Sequence, residues 1–417
     1  MRQSGLPALK SLSWCLAVAA SILTSLPAQA VTWGGNRSGL PWISGASVGM
    51  EAIERIRGRA LDARTAFFSI DTWDSLAASA DAIPRFRAGG GQLILAVGML
   101  PRSHRGQHAP CAAGAFDARI RTIGDKIVRA GGGDAILRLG WEANRVNGYP
   151  WAVTGDGSAY KACFRRWISI LRAIPGQSFV IDWNMAQVGT FAYHVDRMYP
   201  GGDVVDIIGA QQYDRCPPVR NENEWSKRYW ETRANGSPIG LGRWLEYARS
   251  KNKRLSIPEW GVGGPRNICG TPGFDNPFFI GKMYEFFKNN ADSIAYEAYF
   301  NGDDGSGNDE NGSHRLADNP ASAARYGELW RSSVTPAPAT ISILEAYYYG
   351  MANYCDASTA LKHACDGKTA CTITAADALC GDPEPSVAKR LAVVYACRSQ
   401  RKTDDQAQGS QLRLACD

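Results

Sequence analysis

Eight short apolar runs recur along the first three quarters of the chain, and their spacing constrains the fold more than any other feature. They are Trp42–Val48, Thr65–Ile70, Gln92–Leu100, Ala135–Glu142, Ser178–Asn184, Val204–Tyr213, Arg254–Trp260 and Ser293–Asn301. Most are nearly continuously apolar rather than alternating, the pattern of strands covered on both faces. The segments between them, such as Gly114–Ala130 and Ser158–Ala173, are long enough for helical crossovers. Eight such units in about 260 residues predict a (β/α)8 barrel. An internal similarity agrees: Arg87-Ala-Gly-Gly-Gly-Gln-Leu-Ile-Leu-Ala-Val-Gly98 matches Arg129-Ala-Gly-Gly-Gly-Asp-Ala-Ile-Leu-Arg-Leu-Gly140 at an offset of 42, one strand–helix unit. These glycine runs follow a helix and open a strand, so they read as helix stops and tight turns rather than phosphate loops.

The ends of the chain carry different signals. Residues 1–30 hold Arg2 and Lys10, an apolar run from Trp14 to Leu23, and Pro27-Ala-Gln-Ala30, the pattern of a secretory signal peptide cleaved after Ala30. The apolar run is shorter than the about 20 residues that cross a bilayer, so no membrane anchor is expected. Of 11 cysteines, cleavage removes Cys15. Cys111, Cys163, Cys216 and Cys269 are dispersed; Cys355, Cys365, Cys371, Cys380, Cys397 and Cys416 crowd the last stretch, as in a small disulfide-stapled domain of an oxidising compartment. A Pro/Ala/Thr-rich segment separates the two groups. The reading is therefore a signal peptide (1–30), a barrel (31–330), a linker (331–340) and a small β-containing domain (341–417), its three disulfides open among fifteen pairings. The 46 basic and 40 acidic side chains form no long basic run, which argues against nucleic acid as a partner.

In a barrel the chemistry sits at the carboxyl ends of the strands. The fourth run ends Arg138-Leu-Gly-Trp-Glu142-Ala-Asn144 and the seventh ends Pro258-Glu259-Trp-Gly261. Each places one glutamate after apolar strand residues, where a buried charge is costly unless it is matched. Two carboxyl groups, one neutral and one ionised, are what retaining hydrolysis of a glycosidic bond needs. Arg138 is expected to orient Glu259, because an arginine near the barrel axis needs an acidic partner. Asn184 could bind the substrate or the carboxylates, and Trp151, Trp183, Trp260 and Tyr299 could stack on sugar rings. His104, His108 and Cys111 hint at a metal, but no His-Glu-x-x-His motif supports it and no metal is expected. Asp303–Glu310 lacks the closing glutamate of a calcium loop and reads as solvated.

These residues carry a resemblance. Arg138-Leu-Gly-Trp-Glu-Ala-Asn-Arg-Val-Asn-Gly-Tyr-Pro-Trp151 resembles the acid/base motif of glycoside hydrolase family 26. Tyr199–Tyr213 resembles that family's sixth-strand segment, and Pro258-Glu259-Trp-Gly261 its nucleophile motif. The resemblance runs in order from about Gly45 to Trp330. It implies Glu142 as acid/base, Glu259 as nucleophile and Tyr213 as the hydrogen-bond partner of the nucleophile. It also implies β-mannan, β-1,3-xylan or mixed β-glucan as substrate, and a microbial exopolysaccharide is equally open. Trp141 stands where the family's mannanases have histidine, and the third run ends Val97-Gly-Met-Leu100 without the expected histidine. Both departures bear on which sugar is taken rather than on catalysis.

Residues 341–416 are similar to the galactose/rhamnose-binding lectin domain first known from sea-urchin eggs. The similarity rests on Tyr349-Gly350, the Cys365-Asp-Gly-Lys segment, Gly381-Asp-Pro383 and Lys389 to Cys397. It implies a sugar pocket near Tyr349, Asp382 and Lys389. Asp382-Pro-Glu384 departs from the family's Asp-Pro-Cys. The expectation is a secreted retaining endo-β-glycanase, tethered to a polysaccharide or oligosaccharide by a lectin-like module and requiring no cofactor. The alternative is a non-hydrolytic carbohydrate-binding protein on a barrel that has lost activity.

Overall fold

The apolar runs become parallel strands, taken up in chain order around a cylinder. They are β1 (Ser44–Val48), β2 (Ala63–Phe67), β3 (Gln92–Val97), β4 (Ile136–Leu139), β5 (Val180–Met185), β6 (Ile207–Ala210, resumed at Gln212–Tyr213), β7 (Arg254–Gly261) and β8 (Ile294–Phe300). Consecutive strands pair, and β8 pairs with β1, which closes the eight-stranded barrel. This computed structural model describes residues 36–215, 217–263, 275–302, 314–331, 340–397 and 400–416. The expected signal peptide, Cys216, Cys269, the Asp303–Glu310 loop and the body of the linker lie outside the described residues. Among the described residues, no helix is long and apolar enough to cross a membrane.

Local chemistry explains the units. Helices cover Asp117–Ile127 and Ser158–Arg172, inside the segments expected to be helical. The helix Ile83–Ala88 stops at the first glycine run, and β3 starts at Gln92. Gly90 and Gly91 turn the chain there with φ of 71° and 84°, a region that residues with a β-carbon avoid. The second run forms a helical turn over Val128–Gly132 before β4.

Successive side chains on a strand face opposite sides, and this alternation separates site from core. Arg138, Asp182, Asn184, Ser256 and Tyr296 point into the barrel, where they bond one another. Room for them comes from Gly209 on β6: a β-carbon there would lie 2.6 Å from Asp182 Oδ1 and 2.7 Å from Ser256 Oγ. The outward residues pack under the helices in one apolar core that includes Trp42, Trp167, Trp183, Trp244, Trp260 and Trp330.

Beyond residue 340 the chain forms small antiparallel sheets. Strands β9 (Ile341–Tyr349), β10 (Tyr354–Asp356), β12 (Arg390–Cys397) and β13 (Gln400–Ala407) build a four-stranded sheet in the order β10-β9-β12-β13. Strands β11 (Ala370–Thr374) and β14 (Gln411–Ala415) pair separately, and one helix spans Ser358–Cys365. Alternating burial along β12 puts Leu391, Val393, Tyr395 and Cys397 into a small core with Ile341, Ile343, Leu412 and Leu414. Disulfides join Cys355 to Cys380, Cys365 to Cys371 and Cys397 to Cys416, which selects one of the fifteen pairings. A core this small gains most from such cross-links.

Candidate active site

Glu142 follows β4 by three residues and is 6% exposed. Its φ of 54° lies in the left-handed region, a strain of about 1 kcal/mol for a residue with a side chain. Neighbouring backbone holds it there: the Glu142 N–H donates to the Asn184 carbonyl at 2.9 Å, and the Val153 N–H donates to the Ala143 carbonyl at 2.8 Å. Two residues on, the Asn144 amide accepts from the Ala186 N–H at 2.8 Å and donates to the Ala186 carbonyl at 2.9 Å. A β-carbon on Gly189 would collide with that amide. Strain fixed by so many bonds is a mark of functional positions.

The electrostatics at Glu142 favour a protonated carboxyl. Burial first, and the nearby Glu259 charge second, push its pKa up to about 7, against the pull of Arg145 and Arg138. Arg145, on the same loop, donates to Oε2 at 3.1 Å. Its guanidinium is half exposed, so solvent screens part of that pull.

Glu259, on β7, is 7% exposed and differently surrounded. Arg138 Nη2 donates to its Oε1 at 2.6 Å, and the Tyr213 hydroxyl donates to its Oε2 at 3.0 Å. The same Nη2 donates to Asn184 Oδ1 at 2.8 Å. Burial by itself would lower the pKa of Arg138, but the surrounding negative groups, Glu259 foremost, raise it, and the guanidinium stays charged. Burial and the two glutamates push the Tyr213 hydroxyl well above its ordinary value, so it remains a donor. Deeper in the barrel, Asp182 accepts from Ser256 at 2.8 Å and Tyr296 at 2.5 Å, and burial pushes it up to about 6.

The structure thus brings together Glu142, Glu259, Arg138, Asn184 and Tyr213. Trp141 and Trp151 flank Glu142: their rings lie 4.5 Å apart, and Trp151 Nε1 donates to the Trp141 carbonyl at 2.7 Å. Both rings are buried, so they shape the wall from behind, and Trp151, fully covered, does not offer the sugar-stacking face expected of it.

Three expected sugar-stacking residues face the wrong way. Trp183 lies between Asp182 and Asn184, which point inward, so its ring turns outward against Tyr199 and Tyr247. Trp260 packs against Phe287 and Trp330 under the helices, and its Nε1 donates to Glu297 at 2.6 Å. Tyr299 packs against Trp260 and Tyr326. All three are completely buried core aromatics.

Other residues at the mouth escaped the sequence reading. Tyr149 stacks on Trp151 at 4.9 Å, and burial together with the charges of Glu142 and Glu259 raises its hydroxyl pKa. It lies inside the acid/base motif, so its position was the available signal. His314 lies 4.6 Å from the Tyr213 ring, behind a segment with no pattern to place it. Phe67 ends β2, but the apolar run that contains it continues to Ile70, so the sequence did not mark it as a strand end.

Two of the three residues behind the metal hint have other partners. Cys111 is in a disulfide with Cys163, and His108, on a short helix His108–Ala112, lies 3.1 Å from the Trp151 carbonyl through Nε2. Among the described residues, no group of three or more His, Cys, Asp and Glu could hold a metal ion. In the C-terminal module, the Tyr349 hydroxyl donates to Asp405 at 2.7 Å, and Lys389 Nζ, almost buried, lies 2.8 Å from Asp382. Glu384, at the departed position, accepts from the Ala352 N–H at 2.9 Å.

No family profile matches the chain. A D-galactoside-specific lectin of Heliocidaris crassispina is 46% identical over 37 residues, which are 9% of this chain and 35% of the lectin. The chain thus spans about a third of the length of that curated relative. Among solved structures, the catalytic domain of a family 26 endo-β-1,4-mannanase from Bacillus sp. matches with a TM-score of 0.50 at 16% identity, covering 71% of this chain and 87% of that one. A family 26 protein from Muricauda sp. also gives 0.50, at 14% identity over 72% of this chain and 88% of its own. The barrel has the fold of these solved glycoside hydrolase family 26 structures.

Proposed function

We propose that the barrel is a retaining glycoside hydrolase of the family 26 type, acting within a β-linked polysaccharide, with Glu142 as acid/base and Glu259 as nucleophile. One observation carries this reading: two buried carboxyl groups influence each other, one pushed towards protonation and the other matched by a guanidinium and a phenol. At about pH 7 a substantial fraction of Glu142 is still protonated and can give its proton to the departing glycosidic oxygen. Arg138 and Tyr213 aim the Glu259 carboxylate at the anomeric carbon. The C–O bond to the leaving group breaks as the bond to Glu259 forms.

Glu142 changes role through the same electrostatics. Burial still raises Glu142, but once Glu259 is an ester its charge is gone, and with it the repulsion that added to that rise. Glu142, which has given its proton to the leaving oxygen, is then more easily kept ionised and takes a proton from the water that releases the sugar. Every group in the cycle is a side chain of this barrel. The Trp141 wall, apolar where the family's mannanases have histidine, supports a substrate that asks for no hydrogen bond there; mannan, β-1,3-xylan and mixed β-glucans are the panel to try.

The same proposal has the protein exported with cleavage after Ala30, consistent with four disulfides among the described residues. Residues 341–417 act as a lectin-like tether that raises local substrate concentration. The short likeness to a lectin supports the tether. The test is proton NMR of the first product from that panel: release with the β-anomer formed first is expected, and an initial α-anomer would overturn the retaining mechanism.

A further inference from the structure

We propose that Phe67 is the platform on which a sugar ring of the substrate lies beside the two glutamates. The inference rests on the hydrolase reading and adds to it the surface that recognises the sugar. Phe67 closes β2 and is 38% exposed, although most large aromatics of the barrel are buried. Its ring lies 5.9 Å from Trp141, the neighbour of Glu142, and 6.4 Å from Phe300 at the end of β8. Phe300 is in turn 6.3 Å from Tyr213, which bonds Glu259. One arc of four rings therefore runs from the acid/base to the nucleophile, and Phe67 is its most exposed member. Arg138, which holds Glu259, lies 5.6 Å from the centre of the Phe67 ring.

The chemistry of the arc defines what it takes. An exposed phenyl ring has no polar group for water, so covering it is favourable. A guanidinium beside the ring polarises it and fixes its orientation. The face of a pyranose that carries only C–H groups fits such a surface; a face with a hydroxyl aimed at it would lose that hydroxyl's bond to water with no replacement. Phe67, backed by the buried Trp141 ring, thus selects a pyranose that presents a C–H face to the end of β2. The ligand class is a neutral β-linked glycan rather than an acidic one, because among the described residues the cations beside this wall already face carboxylates of the site, Arg138 on Glu259 and Arg145 on Glu142.

The test compares full-length parent with Phe67→Ala, Phe67→Leu and Phe67→Trp on the glycan the parent cleaves. KM should rise about tenfold for Phe67→Ala with kcat changed far less, the size expected from uncovering one phenyl ring. Phe67→Leu, apolar but not flat, should lose affinity too, and Phe67→Trp should restore it. Calorimetric titration of soluble oligosaccharide into the same variants carrying Glu142→Gln reads binding without hydrolysis, and the C-terminal module contributes equally to each. Equal affinity for parent and Phe67→Ala would overturn the platform, as would a fall in kcat and melting temperature with KM unchanged. Absence of sugar release by the parent would overturn the hydrolase reading, while the titration still decides whether Phe67 holds the glycan.

Discussion

At the barrel mouth, Glu142 is a carboxyl raised first by burial and then by a second carboxyl, and Arg138 is a buried guanidinium that holds Glu259 through one nitrogen. In the C-terminal module, Lys389 lies 2.8 Å from Asp382, and Asp405 accepts both from Arg390 at 2.7 Å and from Tyr349 at 2.7 Å. The barrel can leave charges in a costly arrangement because eight strands and one large apolar core over-determine their positions. The module has a core of a few strands and three disulfides, and it matches each of these charges locally. A large core tolerates electrostatic strain at a site, and a small one does not.

The largest effect that would sharpen this contrast is at Arg138. Arg138→Ala leaves Glu259 buried without its cation, which should cost about 3–5 kcal/mol of stability and lower sugar release at least about a hundredfold. Denaturant unfolding and a sugar-release assay check both, and a variant as stable as the parent would break the account of the buried pair.

Reduction comes next. Cys111 and Cys163 are fully buried, whereas Cys355 and Cys380 are half-buried. A mild thiol should open the Cys355–Cys380 bridge first and destabilise the module by about 2–4 kcal/mol per lost bridge. The barrel's activity on soluble oligosaccharide should persist. Thiol trapping with peptide mapping, run beside the activity assay, reads the order; loss of Cys111–Cys163 first would reverse the comparison.

The third effect is a gain. A carboxyl whose folded pKa is raised contributes stability that is present below its unfolded value and lost as pH rises through the folded value. Glu142, raised from 4.5 to about 7, therefore weakens the fold above pH 7 and not below about pH 4.5. Glu142→Gln should be more stable than the parent at pH 8, by an order of 2 kcal/mol, and nearly equal at pH 4.5. Melting curves at the two pH values check it. For the same reason, the parent's kcat/KM should fall as pH rises past about 7 and the acid loses its proton.

How much of this was readable in the residues depends on which physical signal each part leaves. Parallel strands buried on both faces leave unbroken apolar runs, so the eight strands and their order were legible. Glu142 and Glu259 were legible because a lone carboxyl after such a run is expensive, and Arg138 because it stands inside one. The direction of the aromatics was missed, although parity contained it. If Asp182 and Asn184 face the axis, Trp183 between them cannot. Phe67 was missed because the second run was read as Thr65–Ile70, which put the residue inside the strand instead of at its end, where β2 places it. Tyr349, Asp382 and Lys389 came from resemblance alone, and the structure shows only that each is already engaged.

The most direct measurement of the central claim is sugar release from the polysaccharide panel by the parent, Glu142→Gln and Glu259→Ala, each checked for an unchanged fold by circular dichroism. The account predicts release by the parent from at least one glycan and a loss of at least about a thousandfold in both variants. Undiminished release by either variant, or none by the parent on any glycan, would contradict it.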